Sequence, residues 1–218
     1  MDTSSLWLLL QEIGVWFAHV NLVLVVIICC SILAAGVFFE RVLYLKKVDI
    51  DTDALLILVR REIIDGNIVE AMNICENKGG AVANIVKAGL CKHNRPAEYI
   101  ENAMELRGLI EIAKMEKNAR ILSIIAHIAP LIGLLGTVIG FIKAFGEMRV
   151  SSLIEISATQ IGEAMEYALV TTAAGLVVAI PAVIGYNYIV SRIEGMTVDM
   201  QATAAEVVDL LESRESVE

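Results

Sequence analysis

The sequence is distinguished first by where charged residues are missing. No Lys, Arg, Asp or Glu occurs in three long stretches of the 218-residue chain, from Ile13 to Phe39, from Ile121 to Ile142 and from Tyr167 to Ser191. Each stretch reaches the roughly 20 apolar residues that a helix needs to cross a bilayer core. Hydrophobic residues make up 57% of the chain, above the roughly 45–50% of an ordinary soluble domain. These blocks exclude a soluble globular protein and predict an all-α integral membrane protein with three transmembrane helices.

Sequence patterns of catalysis and metal binding are also missing. The chain has no HExxH, P-loop or GxSxG pattern and no Cys/His nucleophile pair. Its four cysteines show no CxxC spacing, which predicts free thiols, no metal site and no cofactor. A net charge of −9 without a basic, aromatic-rich patch argues against nucleic-acid binding. We therefore expect a protein that is not an enzyme.

Basic residues are absent from residues 1–40, whereas residues 41–120 hold 13 of the 17 in the chain. Cytoplasmic loops carry the excess of Lys and Arg, so the N-terminus is predicted to be periplasmic and the C-terminus cytoplasmic. Because no basic segment precedes the first apolar stretch, it is predicted to be a retained anchor and not a cleaved signal peptide. The predicted order is a periplasmic segment (1–12), a first span (13–40), a cytoplasmic helical domain (41–120), a second span (121–145), a short periplasmic connection (146–165), a third span (166–191) and a cytoplasmic helix (192–218).

Helical periodicity continues outside the spans. Apolar spacing and Gly/Asn breaks predict short helices over 53–64, 69–75 and 81–91. No breaker is recognised between Ala97 and Pro130, so one helix is predicted to run from the cytoplasm into the second span. A stripe that continues to Leu211 predicts that the third helix extends from about Leu153 far into the cytoplasm. A helix of that length needs neighbours, either from its own chain or from other copies.

Small residues form a stripe on each of the last two spans, and each stripe carries a threonine. The stripes are Gly133, Thr137, Gly140 and Ala144 on the second span and Met165, Ala168, Thr172, Gly175 and Ala179 on the third; Gly136 and Gly140 also form a GxxxG pair. Thr137 and Thr172 are candidates for a polar, pore-lining ring. The competing interpretation is that each hydroxyl only bonds a carbonyl of its own helix. Since the spans hold no carboxylate, a titrating group for proton transport would have to come from another protein.

Two segments resemble the span signatures of the MotA/TolQ/ExbB proton-channel family. They run from Ala129 to Phe145 (APLIGLLGTVIGFIKAF) and from Ala168 to Asn187 (ALVTTAAGLVVAIPAVIGYN). Three spans fit the ExbB and TolQ branch better than the four-span MotA branch.

The resemblance implies a pentamer around an ExbD/TolR-like single-span partner that supplies a membrane Asp, with a TonB- or TolA-like protein as a further partner. It places Thr137 and Thr172 on the proton pathway, and it implies helix packing around the pore by Pro130, Gly133, Gly136, Gly140, Ala168, Gly175, Ala179 and Pro181. Many members carry a Glu five residues before the second threonine. This chain has Tyr167 there, so Glu166 beside it is the acidic candidate.

Three functions remain open at this stage. The favoured one is a subunit of a bacterial inner-membrane proton channel and motor that uses the proton-motive force to energise transport or envelope processes at the outer membrane. A passive membrane scaffold without ion flux is the alternative. A small secondary transporter is disfavoured, because the sequence shows no internal repeat and no charged midplane site. ExbB-like and TolQ-like roles are not distinguished.

Overall fold

The computed structural model describes residues 22–151 and 158–215 and places most of them in seven helices. These are α1 (Leu22–Val48), α2 (Thr52–Ile64), α3 (Ile68–Lys78), α4 (Gly80–Leu90), α5 (Ala97–Glu116), α6 (Ala119–Ser151) and α7 (Ala158–Glu215). No strand occurs within this described part, and the all-α prediction is confirmed. The predicted N-terminal segment (1–12), the start of the first span (13–21), residues 152–157 and residues 216–218 lie outside the described residues.

Three helical stretches are long and apolar enough to cross a membrane. They lie within Leu22–Ile64, Ala119–Gly146 and Met165–Ser213, with mean hydropathies of 3.0, 2.1 and 2.1 in their most apolar windows. Only 11% of the first window is buried inside the chain, against 33% of each of the other two. The three-span prediction is confirmed, and the first helix leaves most of its surface for lipid or for other chains.

The described residues form two compact units. The first, called here the membrane unit, comprises residues 22–37, 121–151 and 158–186, and the second, the helical domain, comprises residues 38–120 and 187–215. In the helical domain, α2 to α4 correspond closely to the short helices predicted from periodicity. Asp51 caps α2 by accepting a 3.0 Å hydrogen bond from the amide of Ala54, and a turn with positive φ at Gly79 and Gly80 separates α3 from α4.

The predicted single helix from Ala97 into the second span is wrong. The helix ends at Glu116, and α6 begins at Ala119 after Asn118, whose φ is 66°. Asn is one of the few residues other than Gly that adopts this left-handed conformation at low cost, and the sequence analysis had recognised Asn as a breaker only where it was clustered with Gly or Pro.

Arg41 stabilises the end of α5. Its side chain is 4% exposed, and its Nη1 lies 3.2 Å from the carbonyl oxygen of Lys114 and 3.5 Å from that of Met115. The last carbonyls of a helix have no partner within the helix, so Arg41 supplies donors where the helix stops. Glu40 in turn pairs with the Arg41 guanidinium through two hydrogen bonds.

The long continuation of the third helix is confirmed between Ala158 and Glu215; its predicted start near Leu153 lies outside the described residues. At about 1.5 Å per residue its 58 residues span ~87 Å. The continued stripe packs into the helical domain, with the following side chains at most 6% exposed: Ile193, Met196, Met200, Val207 and Leu211. An ion pair between Arg192 and Asp49 joins α7 to the residue that follows α1. A second ion pair, between Arg60 and Glu206 at 3.2 Å, joins α2 to α7.

One buried carboxylate organises the contact between α4 and α5. Glu111 is 3% exposed, and its Oε1 accepts hydrogen bonds from Arg107 (2.8 Å), Lys114 (3.0 Å) and Asn84 (3.3 Å). The sequence analysis did not identify this residue. Arg107 and Lys114 stand one turn to either side of it, and that spacing was the available signal.

Two cysteines of the helical domain are expected to differ sharply in reactivity. Cys75 is 2% exposed, and burial raises the pKa of its thiol from 9.0 to about 11, whereas Cys91 is exposed. The thiolate is the form of cysteine that reacts. A rise of two units in the thiol pKa lowers the fraction of Cys75 that is thiolate at pH 8 about a hundredfold. Maleimide labelling of the folded protein, located by peptide mapping, should modify Cys91 rapidly and Cys75 only slowly. Denaturant should abolish the difference, and equal rates in the folded protein would contradict the burial of Cys75.

Candidate functional site

The membrane unit is built on a glycine contact between α6 and α7. A Cβ atom placed on Gly175 would lie 2.6 Å from the carbonyl oxygen of Ala129 and 3.2 Å from the Cα of Gly133. A Cβ on Gly133 would lie 2.9 Å from the carbonyl oxygen of Thr171 and 3.0 Å from the Cα of Thr172. These neighbours are backbone atoms that cannot rotate away, so the two helices meet where no side chain fits. The predicted packing roles of Gly133 and Gly175 correspond to this geometry.

Thr171 lies at the centre of this contact. Thr171 is fully buried, and its hydroxyl donates a 2.7 Å hydrogen bond to the carbonyl of Ala168. Its side chain packs against Gly136, where an added Cβ atom would lie 2.7 Å from the Cβ of Thr171. The sequence analysis missed Thr171 because the spacing from Ala168 to Gly175 admits either neighbouring threonine. Only the packing of α6 distinguishes them.

The two predicted pore threonines have different hydrogen bonds. Thr172 is partly buried and donates across the helix pair to the carbonyl of Gly133 at 3.0 Å. Thr137 donates to the carbonyl of Leu134 in its own helix at 2.6 Å. Both hydroxyl groups have therefore committed their proton to a backbone carbonyl, and each oxygen keeps lone pairs that can accept.

The other predicted packing residues take several positions. Gly140, Ala168 and Ala179 are buried, Pro130 is partly buried and Pro181 is exposed. Both prolines stand inside continuous helices, where each removes one backbone donor and leaves a carbonyl four residues earlier without its usual partner. In a membrane such carbonyls are tolerated where protein or water satisfies them.

Titratable groups are sparse around these helices. The described part of the chain contains no cluster of three His, Cys, Asp or Glu side chains that could hold a metal ion. His127 is exposed, and its Nδ1 lies 2.7 Å from the carbonyl oxygen of Ser123 one turn earlier. The arrangement thus offers a close-packed helix pair with hydroxyl oxygens, and the charge-free stretches of both helices contain no carboxylate.

Comparison with known proteins agrees with this geometry. The sequence profile of the MotA/TolQ/ExbB proton channel family matches residues 77–202, which is more than half of the chain and includes the helix pair. This chain belongs to that family. Its resemblance to the ExbB/TolQ branch is confirmed by relatives with those names.

Three relatives illustrate the similarity. A putative biopolymer transport protein ExbB-like 1 from Synechocystis is 30% identical over 200 residues, covering 89% of this chain and 77% of that protein. A putative ExbB homolog from Methanothermobacter thermautotrophicus is 29% identical over 174 residues, covering 77% and 61% of the two chains. The Tol-Pal system protein TolQ of Haemophilus influenzae is 36% identical over 97 residues, covering 44% and 42%. This chain thus spans about three fifths of the length of the second relative.

The position at which many family members carry a Glu is occupied here by Tyr167. The Tyr167 hydroxyl oxygen is buried and has no hydrogen-bond partner among the residues the structure describes. Glu166, the acidic candidate, is exposed. The role of Glu166 on the proton pathway stays a prediction, and Tyr167 emerges as a buried polar group that the sequence analysis had noted only as a departure.

Removal of the Tyr167 hydroxyl is expected to stabilise the protein. A buried donor without a partner costs about 1–3 kcal/mol, and Tyr167→Phe removes the donor while keeping the ring. Thermal unfolding of the purified protein in detergent should show an equal or higher midpoint for Tyr167→Phe. Tyr188→Phe is the matched control, because Tyr188 lies on the same helix and is 52% exposed. A clear loss of stability in Tyr167→Phe alone would show that the hydroxyl has a partner in the intact protein.

Proposed function

We propose that this chain is the ExbB/TolQ-like subunit of a proton channel and motor in the bacterial inner membrane. It assembles as a pentamer with an ExbD/TolR-like single-span partner, and it uses the proton-motive force to energise transport or envelope processes at the outer membrane. A TonB- or TolA-like protein receives that energy. Its N-terminus is periplasmic, and its helical domain and C-terminus are cytoplasmic.

The observation that carries the proposal is the chemistry of the α6/α7 pair. Family membership makes the chain part of a proton channel family, yet the three apolar stretches contain no Asp or Glu. A proton pathway through a membrane ordinarily uses ionisable side chains. The partner's membrane Asp supplies that group in this proposal, while this chain supplies the surface along which it moves.

The threonine hydroxyls define what that surface does. A protonated carboxyl group donates a hydrogen bond, and Thr137 and Thr172 can accept it because their own protons are held by the carbonyls of Leu134 and Gly133. The two oxygens therefore stabilise the neutral, proton-carrying form of the partner's Asp inside the membrane. An ionised carboxylate gains no such bond from them and is favoured where water is present.

The test is to remove both hydroxyls. Thr137→Val with Thr172→Val nearly keeps the side-chain shape, so the protein should accumulate and co-purify with its partner. Two lost hydrogen bonds of about 1 kcal/mol each should lower proton-coupled output about tenfold or more. Proton uptake by proteoliposomes containing both proteins measures this directly, and siderophore uptake or envelope integrity measures it in cells.

Thr171→Val is the matched control. Thr171 is adjacent and fully buried, and its hydroxyl donates to the Ala168 carbonyl at 2.7 Å and lies 3.5 Å from the Gly133 carbonyl. Because the partner's Asp has no access to this buried oxygen, its removal should leave proton flux near normal. Wild-type output from the double variant at equal protein level would show that Thr137 and Thr172 are structural. Full assembly with the partner but no proton flux in the unsubstituted protein would favour the passive scaffold.

A further inference from the structure

The helical domain contains an open groove that its own side chains leave unfilled. The groove has a volume of about 550 Å³ and lies between α5 and the distal part of α7. Its floor is formed by Ile85, Met104 and Met200, each at most 3% exposed. Its walls are formed by small and apolar side chains, namely Gly108, Leu109, Ile112, Ala204, Ala205 and Val208.

Carboxylates from both helices border this groove, called here the acidic groove. Glu101 and Glu105 come from α5, and Asp209 and Glu212 come from α7. All four are exposed, and none forms an ion pair with another residue in the described part of the chain. No Lys, Arg or His lines the groove. An apolar trough with four uncompensated negative charges is complementary to a segment that is apolar on one face and basic on the other.

We propose that the acidic groove binds a short Lys/Arg-rich amphipathic segment, the cytoplasmic tail of the single-span partner. This inference rests on the proposed function, because the partner and the cytoplasmic location of the helical domain belong to it. Segments that flank a span on its cytoplasmic side are enriched in Lys and Arg within about 15–20 residues. The partner's tail therefore has the charge that the groove lacks.

Charge also decides against another occupant. The four carboxylates that border the groove repel an anionic lipid headgroup. A cationic peptide is the occupant that both the apolar floor and the charged border favour.

The groove lies within reach of a tail that leaves the membrane beside α7. Arg192 ends the charge-free stretch of the third helix, and the groove begins at Thr197 and ends at Glu212. At about 1.5 Å per residue these positions lie roughly 8 and 30 Å beyond Arg192 along the helix. Ten extended residues reach about 33 Å. Anchorage of both proteins in one complex raises the effective concentration of the tail, so individually weak contacts suffice.

Photo-cross-linking in the intact complex tests this inference. The photoreactive residue p-benzoylphenylalanine is placed at Leu109 in the groove, and at Leu106 as the control. Both leucines lie on α5 and are exposed, at 58% and 63%, but only Leu109 lines the groove. The chain is co-expressed with an ExbD/TolR-like single-span protein, irradiated in membranes, purified and analysed by mass spectrometry.

A cross-link from position 109, but not from 106, to the partner's cytoplasmic tail is expected. Neutralisation of all four carboxylates should lower the yield of this cross-link about tenfold and leave co-purification of the two proteins through their spans intact. The substitutions are Glu101→Gln, Glu105→Gln, Asp209→Asn and Glu212→Gln. Co-purification without a cross-link at 109, or a cross-link at 109 to a second copy of this chain, overturns the groove assignment alone. Failure of the two proteins to co-purify overturns the proposed function together with it.

Discussion

Replacement of Gly175 with alanine is expected to force α6 and α7 apart and to destabilise the membrane unit. The added Cβ would lie 2.6 Å from the carbonyl oxygen of Ala129, and that backbone atom can move only if the helix moves. Overpacking of this kind costs about 1–3 kcal/mol and sometimes more. Gly133→Ala should behave similarly, because its nearest neighbours are also backbone atoms of the facing helix. The measurement is the thermal unfolding midpoint in detergent together with the amount of folded protein recovered from membranes.

Two other glycines give controls that separate crowding from helix propensity. Among the described residues, a Cβ on Gly146 of α6 or on Gly162 of α7 would meet nothing within 4 Å. Alanine is favoured over glycine in a helix by about 1 kcal/mol, so Gly146→Ala and Gly162→Ala should be neutral or stabilising. Equal stability of Gly175→Ala and Gly162→Ala would show that the close approach of the helices is not required for folding.

A second large effect is expected when the cations around the buried Glu111 are removed. Arg107→Met combined with Lys114→Met leaves a 3% exposed carboxylate with only the Asn84 amide as a donor. Loss of the partners of a buried charge costs about 3–5 kcal/mol. We expect the lower end of that range, because the Arg107 and Lys114 side chains are themselves 35% and 47% exposed. Amide hydrogen exchange in α4 and α5 of the full-length protein should accelerate accordingly.

Substitution of the carboxylate itself provides the rescue. Addition of Glu111→Leu to the Arg107→Met and Lys114→Met pair replaces the ionic contact with apolar side chains, an exchange that is often neutral or stabilising. The triple variant should therefore recover most of the exchange protection that the double variant loses. If the triple variant is as unprotected as the double variant, the loss comes from packing of the Arg and Lys stems and not from the unpaired charge.

The parts of the fold that were predictable depend on local sequence. Charge-free stretches of more than 20 residues and helical periodicity were sufficient for the three spans and for the helices around α2, α3 and α4. The uninterrupted helix after Ala97 was predicted wrongly at Asn118, because a left-handed residue other than Gly carries little sequence signal. The end of α5 just before Asn118 is instead stabilised by Arg41, which bonds the Lys114 carbonyl from 73 residues away in the chain.

The candidate site was predictable only in outline. Small residues at spacings of three and four included Gly133 and Gly175, at which the two helices approach closely, while the packing of these residues around a pore stays a prediction. The spacing could not choose between Thr171 and Thr172, since adjacent residues differ by only about 100° around a helix. The groove between α5 and α7 had no sequence signal, since its two sides are about one hundred residues apart.

The sequence by itself determined the class of this protein: three apolar spans, a mainly helical chain, and two segments that place it in a proton channel family. These properties depend on runs of residues that act locally or through burial in lipid. The tertiary structure decided which threonine fills the glycine contact, and that Thr172 bonds across the helix pair whereas Thr137 bonds within its own helix. It also decided that Glu111 is buried and that the Tyr167 hydroxyl has no hydrogen-bond partner among the described residues. Each of these depends on atoms of another helix at distances of a few ångströms, and no spacing along one helix records what faces it.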